Sequence, residues 1–149
     1  MKLFFETIVP MNYVDVFNGF NVDLFKALKP PLLNLEVKRF DGCKTGDQVH
    51  LGVGALGLSI PWVSVITDHG ENETEFFFID EGSKLPPPLS KWRHRHSIRK
   101  ISKNESVIID DIQFSCHGGI AVELLLKPVL WAQFNSRGPI YLKRFSGEK

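Results

Sequence analysis

Between residues 33 and 115 the chain keeps a period of two through six consecutive segments: 33–40, 47–56, 59–67, 74–79, 91–101 and 106–115. A period of two sends alternate side chains to opposite faces of an extended chain, so each segment predicts a strand with one apolar face. The links carry turn residues and are short: Asp41-Gly42, Gly57, Asp68-His69-Gly70 with Asn72, and Ser102-Lys103-Asn104. Short links join antiparallel neighbours, because a parallel pair needs a crossover of about a dozen residues or more. Only 81–90 is longer. Any fold for this chain must be built around an antiparallel sheet.

The flanks supply what covers it. Residues 2–9 are dense in aromatic and β-branched side chains and end at Pro10, which predicts a further strand ahead of the others. Over 12–28, Val14, Phe17, Phe20, Leu24, Phe25 and Leu28 recur at helical spacing, with a break at Gly19-Phe20-Asn21. The pattern predicts two short helices joined by a bend, the second ended by Pro30-Pro31. From Gly118-Gly119 to Phe145 the period is helical again, with Val122, Leu125, Leu126, Val129, Gln133, Ile140 and Phe145 on one stripe. A continuous helix of that span is about 40 Å long, close to the width of seven strands, so it can cross the sheet. Pro128 and Gly138-Pro139 should bend it. The expected class is α+β, with a curved seven-stranded antiparallel sheet wrapped around a long C-terminal helix and two short helices between strands one and two.

At 149 residues the chain fits one domain, 1–149, large enough to bury a real core. A net charge of +1 gives no global field to draw it to nucleic acid or anionic lipid, so neither is expected as a partner. The first residues lack a signal peptide's apolar stretch and no segment approaches the ~20 apolar residues of a membrane span. A cytoplasmic protein, a monomer or weak homodimer without stable membrane insertion, is the expectation. Cys43 and Cys116 then read as reduced thiols.

Several constellations carry chemistry. Residues 52–57 spell GxGxxG, but Pro61 and the β-like run around it deny the helix that a dinucleotide site requires, so the glycines read as a bulge, a bend or a close approach. Trp92, His94 and His96 alternate with Lys91, Arg93 and Arg95, which puts the aromatic and imidazole groups on one face and the cations on the other. Two imidazoles at this spacing can both face a metal ion, with Asp110 or His50 as third ligand. The plainer reading, hydrogen bonds to Asp110 or backbone within an apolar wall, is preferred, and no metal or cofactor is expected. Of Asp110 and Asp111 only one can face inward, and Ile108, Ile112 and Phe114 point to Asp110. His69 and His117 fall in expected turns facing solvent. The cations Lys91, Arg93, Arg95, Arg99, Lys100 and Lys103 read as a solvated outer face, and Phe76-Phe77-Phe78 with Trp62 as core shared between pocket and outside.

The order of strand, two short helices, six strands and terminal helix resembles the helix-grip fold of the START-like, or SRPBCC, superfamily. Phe40-Asp41-Gly42 followed by Gly46-Asp47, Trp92-x-His94-x-His96, Asp110-x-Ile112-x-Phe114 and Phe134-x-x-Arg137 are similar to motifs of its small bacterial ligand-binding members, over nearly the whole chain. His117-Gly118-Gly119 departs from the Pro-containing turn usual before the last helix. The resemblance implies carriage of a small hydrophobic or amphipathic molecule, lipid-, polyketide- or aromatic-like, in a cavity between sheet and helix. The sheet would line it with Val49, Leu51, Val53, Trp62, Phe76 and Phe78, and with Trp92, Ile112 and Phe114. The helix would close it with Leu125, Val129 and Gln133, and His94, His96, Asp110 and Arg137 would orient a polar group. The alternative is a cyclase-, dehydratase- or hydrolase-like enzyme using His94, His96 and Asp110 for proton transfer in the same cavity.

Overall fold

The computed structural model of the chain describes residues 1–30, 34–54 and 56–147. Pro31 and Leu33, which bound expected elements, and Ala55, which falls inside one, lie outside the described residues. In chain order the elements are β1 (Lys2–Val9), α1 (Tyr13–Asn18), α2 (Val22–Ala27), β2 (Asn34–Phe40), β3 (Gln48–Gly54), β4 (Ile60–Glu71) and β5 (Glu75–Lys84). They continue with β6 (Leu89–Ser102), β7 (Glu105–Cys116), α3 (Ile120–Asn135) and α4 (Arg137–Arg144). The strands form one antiparallel sheet in the order β1-β7-β6-β5-β4-β3-β2. β2 to β7 thus follow as a meander, while β1 pairs with the last strand. The pair α1 and α2 carries the chain between the two edges.

Local chemistry explains the interruption between the short helices. Asn12 and Asn21 are both N-caps, their side-chain oxygens accepting hydrogen bonds from Val14 and Asp15 and from Asp23 and Leu24. Asn21 therefore starts a helix as much as it breaks one. Gly19, between them, leaves room for Phe145: a Cβ there would stand 2.6 Å from the phenyl ring.

Three sequence expectations need correction. Asp68-His69-Gly70 is not a turn, since β4 runs on to Glu71 and the turn falls at Asn72, whose side chain accepts from Thr74 and Glu75. Gly70 is small for another reason, because a Cβ would meet the ring of Phe77 at 2.6 Å. His69 is accordingly a strand residue, its Nδ1 accepting from the Thr45 amide at 3.0 Å. Second, the last helix, expected to bend at Gly138-Pro139, divides just before them: α3 and α4 meet at Ser136, and Pro139 falls in the first turn of α4, where a missing amide hydrogen is tolerated. Third, the helix stripe includes Leu125 wrongly and omits Leu130 and Phe134, while Val122, Leu126, Ile140 and Phe145 do pack inward. Leu125 is 76% exposed, while Leu130 and Phe134 are buried.

Gly52, Gly54, Leu56 and Gly57 belong to the hairpin between β3 and β4. Gly52 and Gly54 lie in β3, Leu56 and Gly57 turn the chain with positive φ, and a Cβ on Gly54 would collide with the Leu58 backbone. No helix begins there.

Two apolar clusters hold the helices to the sheet. One gathers Leu3, Leu89, Trp92, Ile112, Phe114, Cys116, Leu130 and Phe134; the other gathers Val9, Val16, Leu24, Leu28, Ile98, Ile108, Tyr141 and Phe145. Each large side chain so buried contributes about 1.5–3 kcal/mol. The inward face of β6 passes from Trp92 through His94 and His96 to Ile98, and that of β7 from Phe114 and Ile112 through Asp110 to Ile108. The helices pass likewise from Phe134 through Arg137 to Tyr141. A polar belt thus lies between the two clusters.

On the outer face the three arginines are paired: Arg95 with Glu75 at 3.2 Å, Arg99 with Glu75 at 3.6 Å and Arg93 with Glu81 at 4.0 Å. The Arg95 guanidinium also covers Phe77. No helix among the described residues is long and apolar enough to cross a membrane.

Candidate functional site

A cavity of about 340 Å³ lies between the inner face of the sheet, α2 and α3. Its wall is mainly apolar, from Phe20, Leu24, Phe25 and Leu28 on one side, Val49, Leu51, Val53, Trp62, Ile66 and Phe78 on the sheet, and Leu126, Val129, Leu130 and Phe134 on α3. Polar groups enter at Asn21, Cys43, Ser64, Asp80, His94, His96, Gln133 and Arg137.

Of the residues expected to line a pocket, Val49, Leu51, Val53, Trp62, Phe78, Trp92, His94, His96, Val129, Gln133 and Arg137 do line this one. Five lie elsewhere. Phe76 stacks on Phe17 at 4.4 Å, beneath α1. Ile112 and Phe114 are covered within the first apolar cluster, because Trp92 and Phe134 pack between them and the space above. Leu125 faces outward. Asp110, 2% exposed, sits beneath the imidazoles. Its neighbour Asp111 is on the outer face with Lys2 at 3.2 Å.

The register explains how four polar side chains meet. Asp80 is opposite His94 across the β5–β6 pair, and Asp110 is opposite His96 across β6–β7. Hydrogen bonds run along the diagonals instead: His94 Nε2 donates to Asp110 Oδ1 at 2.8 Å, and His96 Nε2 donates to Asp80 Oδ2 at 3.0 Å. The remaining ring nitrogens face the other carboxylates, His94 Nδ1 at 3.6 Å from Asp80 Oδ2 and His96 Nδ1 at 3.4 Å from Asp110 Oδ1. The two imidazoles lie with centroids 3.5 Å apart, and Phe78 stacks on His96 at 4.4 Å. The Trp92 indole donates to Asp80 Oδ1 at 3.1 Å, and Tyr141 reaches Asp110 Oδ2 at 3.4 Å.

Charge distributes unevenly over this cluster. Burial works against the ionised form of both carboxylates, but the imidazole hydrogen bonds outweigh it, leaving Asp80 below its ordinary range and Asp110 well below. Burial lowers His94 to about 4, with the neighbouring His96 adding to the effect, so His94 is neutral at pH 7. Burial opposes charge on His96 too, yet the Asp110 carboxylate 3.4 Å away and the hydrogen bond to Asp80 raise it above an ordinary imidazole. Tyr141 is raised by burial and by Asp110, and stays protonated. Burial, with Asp47 and Asp80 nearby, pushes the Cys43 thiol up to about 12, which makes it inert as a nucleophile.

Arg137 stands at the start of α4, 8% exposed, with its guanidinium over the Phe134 ring at 3.9 Å and Nη1 3.7 Å from Asp110 Oδ1. Its Nε and Nη1 are buried without a hydrogen-bond partner. His50, once a candidate third metal ligand, bonds Gln48 at 2.8 Å and is not on the cavity wall.

Sequence reasoning missed Asp80, because the strand was ended at Ile79. Its parity with Phe76 and Phe78 was the available signal. Leu126, Leu130 and Phe134 were also missed as wall residues.

No family model matches the sequence, and no curated protein sequence does. Solved structures do match. A START superfamily protein from Mycobacterium smegmatis superposes with a TM-score of 0.65 at 13% identity, over 94% of this chain and 96% of that one. The chain has the START-like, helix-grip fold. A norcoclaurine synthase from Thalictrum, in complex with a transition-state analogue, gives a TM-score of 0.66 at 12% identity over 98% of this chain and 96% of that one. The di-domain ARO/CYC protein BexL of the BE-7585A biosynthetic pathway gives 0.66 at 10% identity; there the helix-grip chain, aligned over 97% of its length, spans 46% of the longer protein.

Proposed function

We propose that the chain binds a small amphipathic molecule in the cavity between sheet and α3, with its apolar body against Leu51, Val53, Trp62 and Leu130 and an oxygen-bearing head at the Arg137 end. The supporting observation is the cavity itself, mainly apolar and with the Arg137 side chain on its wall. A guanidinium makes charge-assisted hydrogen bonds that suit a carboxylate, carbonyl or phenolate oxygen of a ligand. The volume of about 340 Å³ is at the small end of ordinary ligand pockets. Each Å² of apolar ligand surface taken from water adds about 25 cal/mol. Lipid-, polyketide- and aromatic-like molecules meet these terms, and the free thiols of Cys43 and Cys116 agree with a reducing, cytoplasmic setting.

A thermal-shift panel of fatty acids and aromatic polyketide analogues tests this. A ligand at 100 times its Kd adds about 2.7 kcal/mol, which raises the Tm of a protein this size by roughly 5–10 °C. The reading expects such a shift from acidic or carbonyl-bearing members, and its loss in Arg137→Gln. No shift from any member, or equal shifts in both proteins, contradicts it.

One observation favours a second reading, catalysis in the same cavity: the His96–Asp80 pair lies on the cavity wall at 3.0 Å, within reach of a bound molecule. Turnover that vanishes in His96→Gln while ligand affinity survives would favour the enzyme. No turnover of any retained ligand would favour carriage.

A further inference from the structure

We propose that Asp80, His94 and His96 form a binding site for one divalent transition-metal ion on the cavity wall. The sequence expectation was no metal, and its candidate third ligands were Asp110 and His50; the fold brings Asp80 to the imidazoles instead. One ligand atom from each of the three residues lies within 4.8 Å of the other two. The edges from Asp80 Oδ2 are 3.0 Å to His96 Nε2 and 3.6 Å to His94 Nδ1. An ion bound tetrahedrally at 2.0–2.1 Å holds its ligands about 3.3 Å apart. Two of the three distances therefore lie near coordination spacing already, and the third is within 4.8 Å.

What lies behind them is equally specific. The nitrogen that each imidazole turns away from this point faces one oxygen, Asp110 Oδ1: His94 Nε2 at 2.8 Å and His96 Nδ1 at 3.4 Å. A carboxylate behind each ligating histidine fixes its tautomer and aims the opposite nitrogen at the ion. Trp92 holds the other oxygen of Asp80 at 3.1 Å, leaving Oδ2 for the ion. Without an ion, His96 Nδ1 is buried with no hydrogen bond. Coordination would replace the proton that His96 Nε2 now gives Asp80: in a neutral ring that proton moves to Nδ1 with no net release, and an imidazolium ring instead loses one proton. That frees the ring to settle with Nδ1–H donating to Asp110.

Two imidazoles and one carboxylate favour zinc, iron(II), cobalt or nickel over calcium and magnesium, which take oxygen ligands. All three ligands line the cavity, so the remaining coordination positions open into it. The inference stands on these residues alone and does not require an organic ligand.

Cobalt(II) titration of chelator-treated protein, followed by its visible d–d absorption, is the direct test, with zinc as competitor. One cobalt per chain is expected, displaced by zinc, with the band lost in Asp80→Asn, His94→Gln and His96→Gln. Asp110→Asn should retain the band at about 10–100-fold lower affinity. Should these variants fail to fold, imidazole ¹⁵N spectra of the wild-type protein serve: zinc should move the His94 and His96 resonances and leave His69 and His117 in place. Absence of cobalt uptake by the wild-type protein, unchanged binding in a folded His94→Gln/His96→Gln variant, or zinc shifts confined to other histidines would overturn the proposal.

Discussion

Asp110 shows at the scale of one residue why the polar belt exists at all. A carboxylate taken from water between apolar clusters is costly unless paired, and it has His94, His96, Arg137 and Tyr141 around it. The same crowding separates the two histidines. His94 is held at about 4, below its unfolded value near 6.5, so the unfolded chain binds that proton first and stability falls as pH drops from about 6.5 to 4. His96 has the opposite sign: its raised value adds stability that is full below about 6.5 and is lost as pH rises through its folded value. The depressed Asp80 and Asp110 add stability above the ordinary carboxylate range that is lost as pH falls through their folded values. Urea denaturation between pH 8 and pH 4 should therefore show His94→Gln losing less stability across that window than wild type, and an identical profile would refute the neutral His94. The inward aim of His94, His96 and Asp110 was legible from alternation alone. Asp80 was not, because a one-residue error at a strand end hides whatever follows it.

At the scale of the element, α3 is the instructive case. Ile120, Val122, Leu124, Leu125, Leu126, Val129, Leu130 and Trp131 leave almost no polar face, so periodicity has little to distinguish inside from outside. The packed face is set by Leu130 and Phe134 meeting Trp92. Leu130→Ala should cost about 2–5 kcal/mol in chemical denaturation, and Leu125→Ala no more than about 0.5 kcal/mol. A reversal of that order would mean the helix lies on its other face. Glycine was the other ambiguous sign. At Gly70, where composition marks a turn, it accommodates Phe77 within a strand, and at Gly54 it lets a hairpin close.

Over the whole molecule, the count of strands, their antiparallel sense and the two short helices could be read before any coordinates. The alternation is long, and the links are too short for other topologies. Pairing of β1 with β7 is a long-range choice that no local pattern carries. The hollow is of the same kind: it exists because α2 and α3 rest on two separated apolar clusters and span the gap between them. That gap, apolar around a polar belt, is the claim on which the functional reading depends. Native mass spectrometry of protein purified without organic solvent tests it most directly, beside a Val53→Trp variant that fills the wall. The account predicts one retained small molecule per wild-type chain and none in the filled variant; wild-type protein of bare chain mass, or equal retention by both, would contradict it.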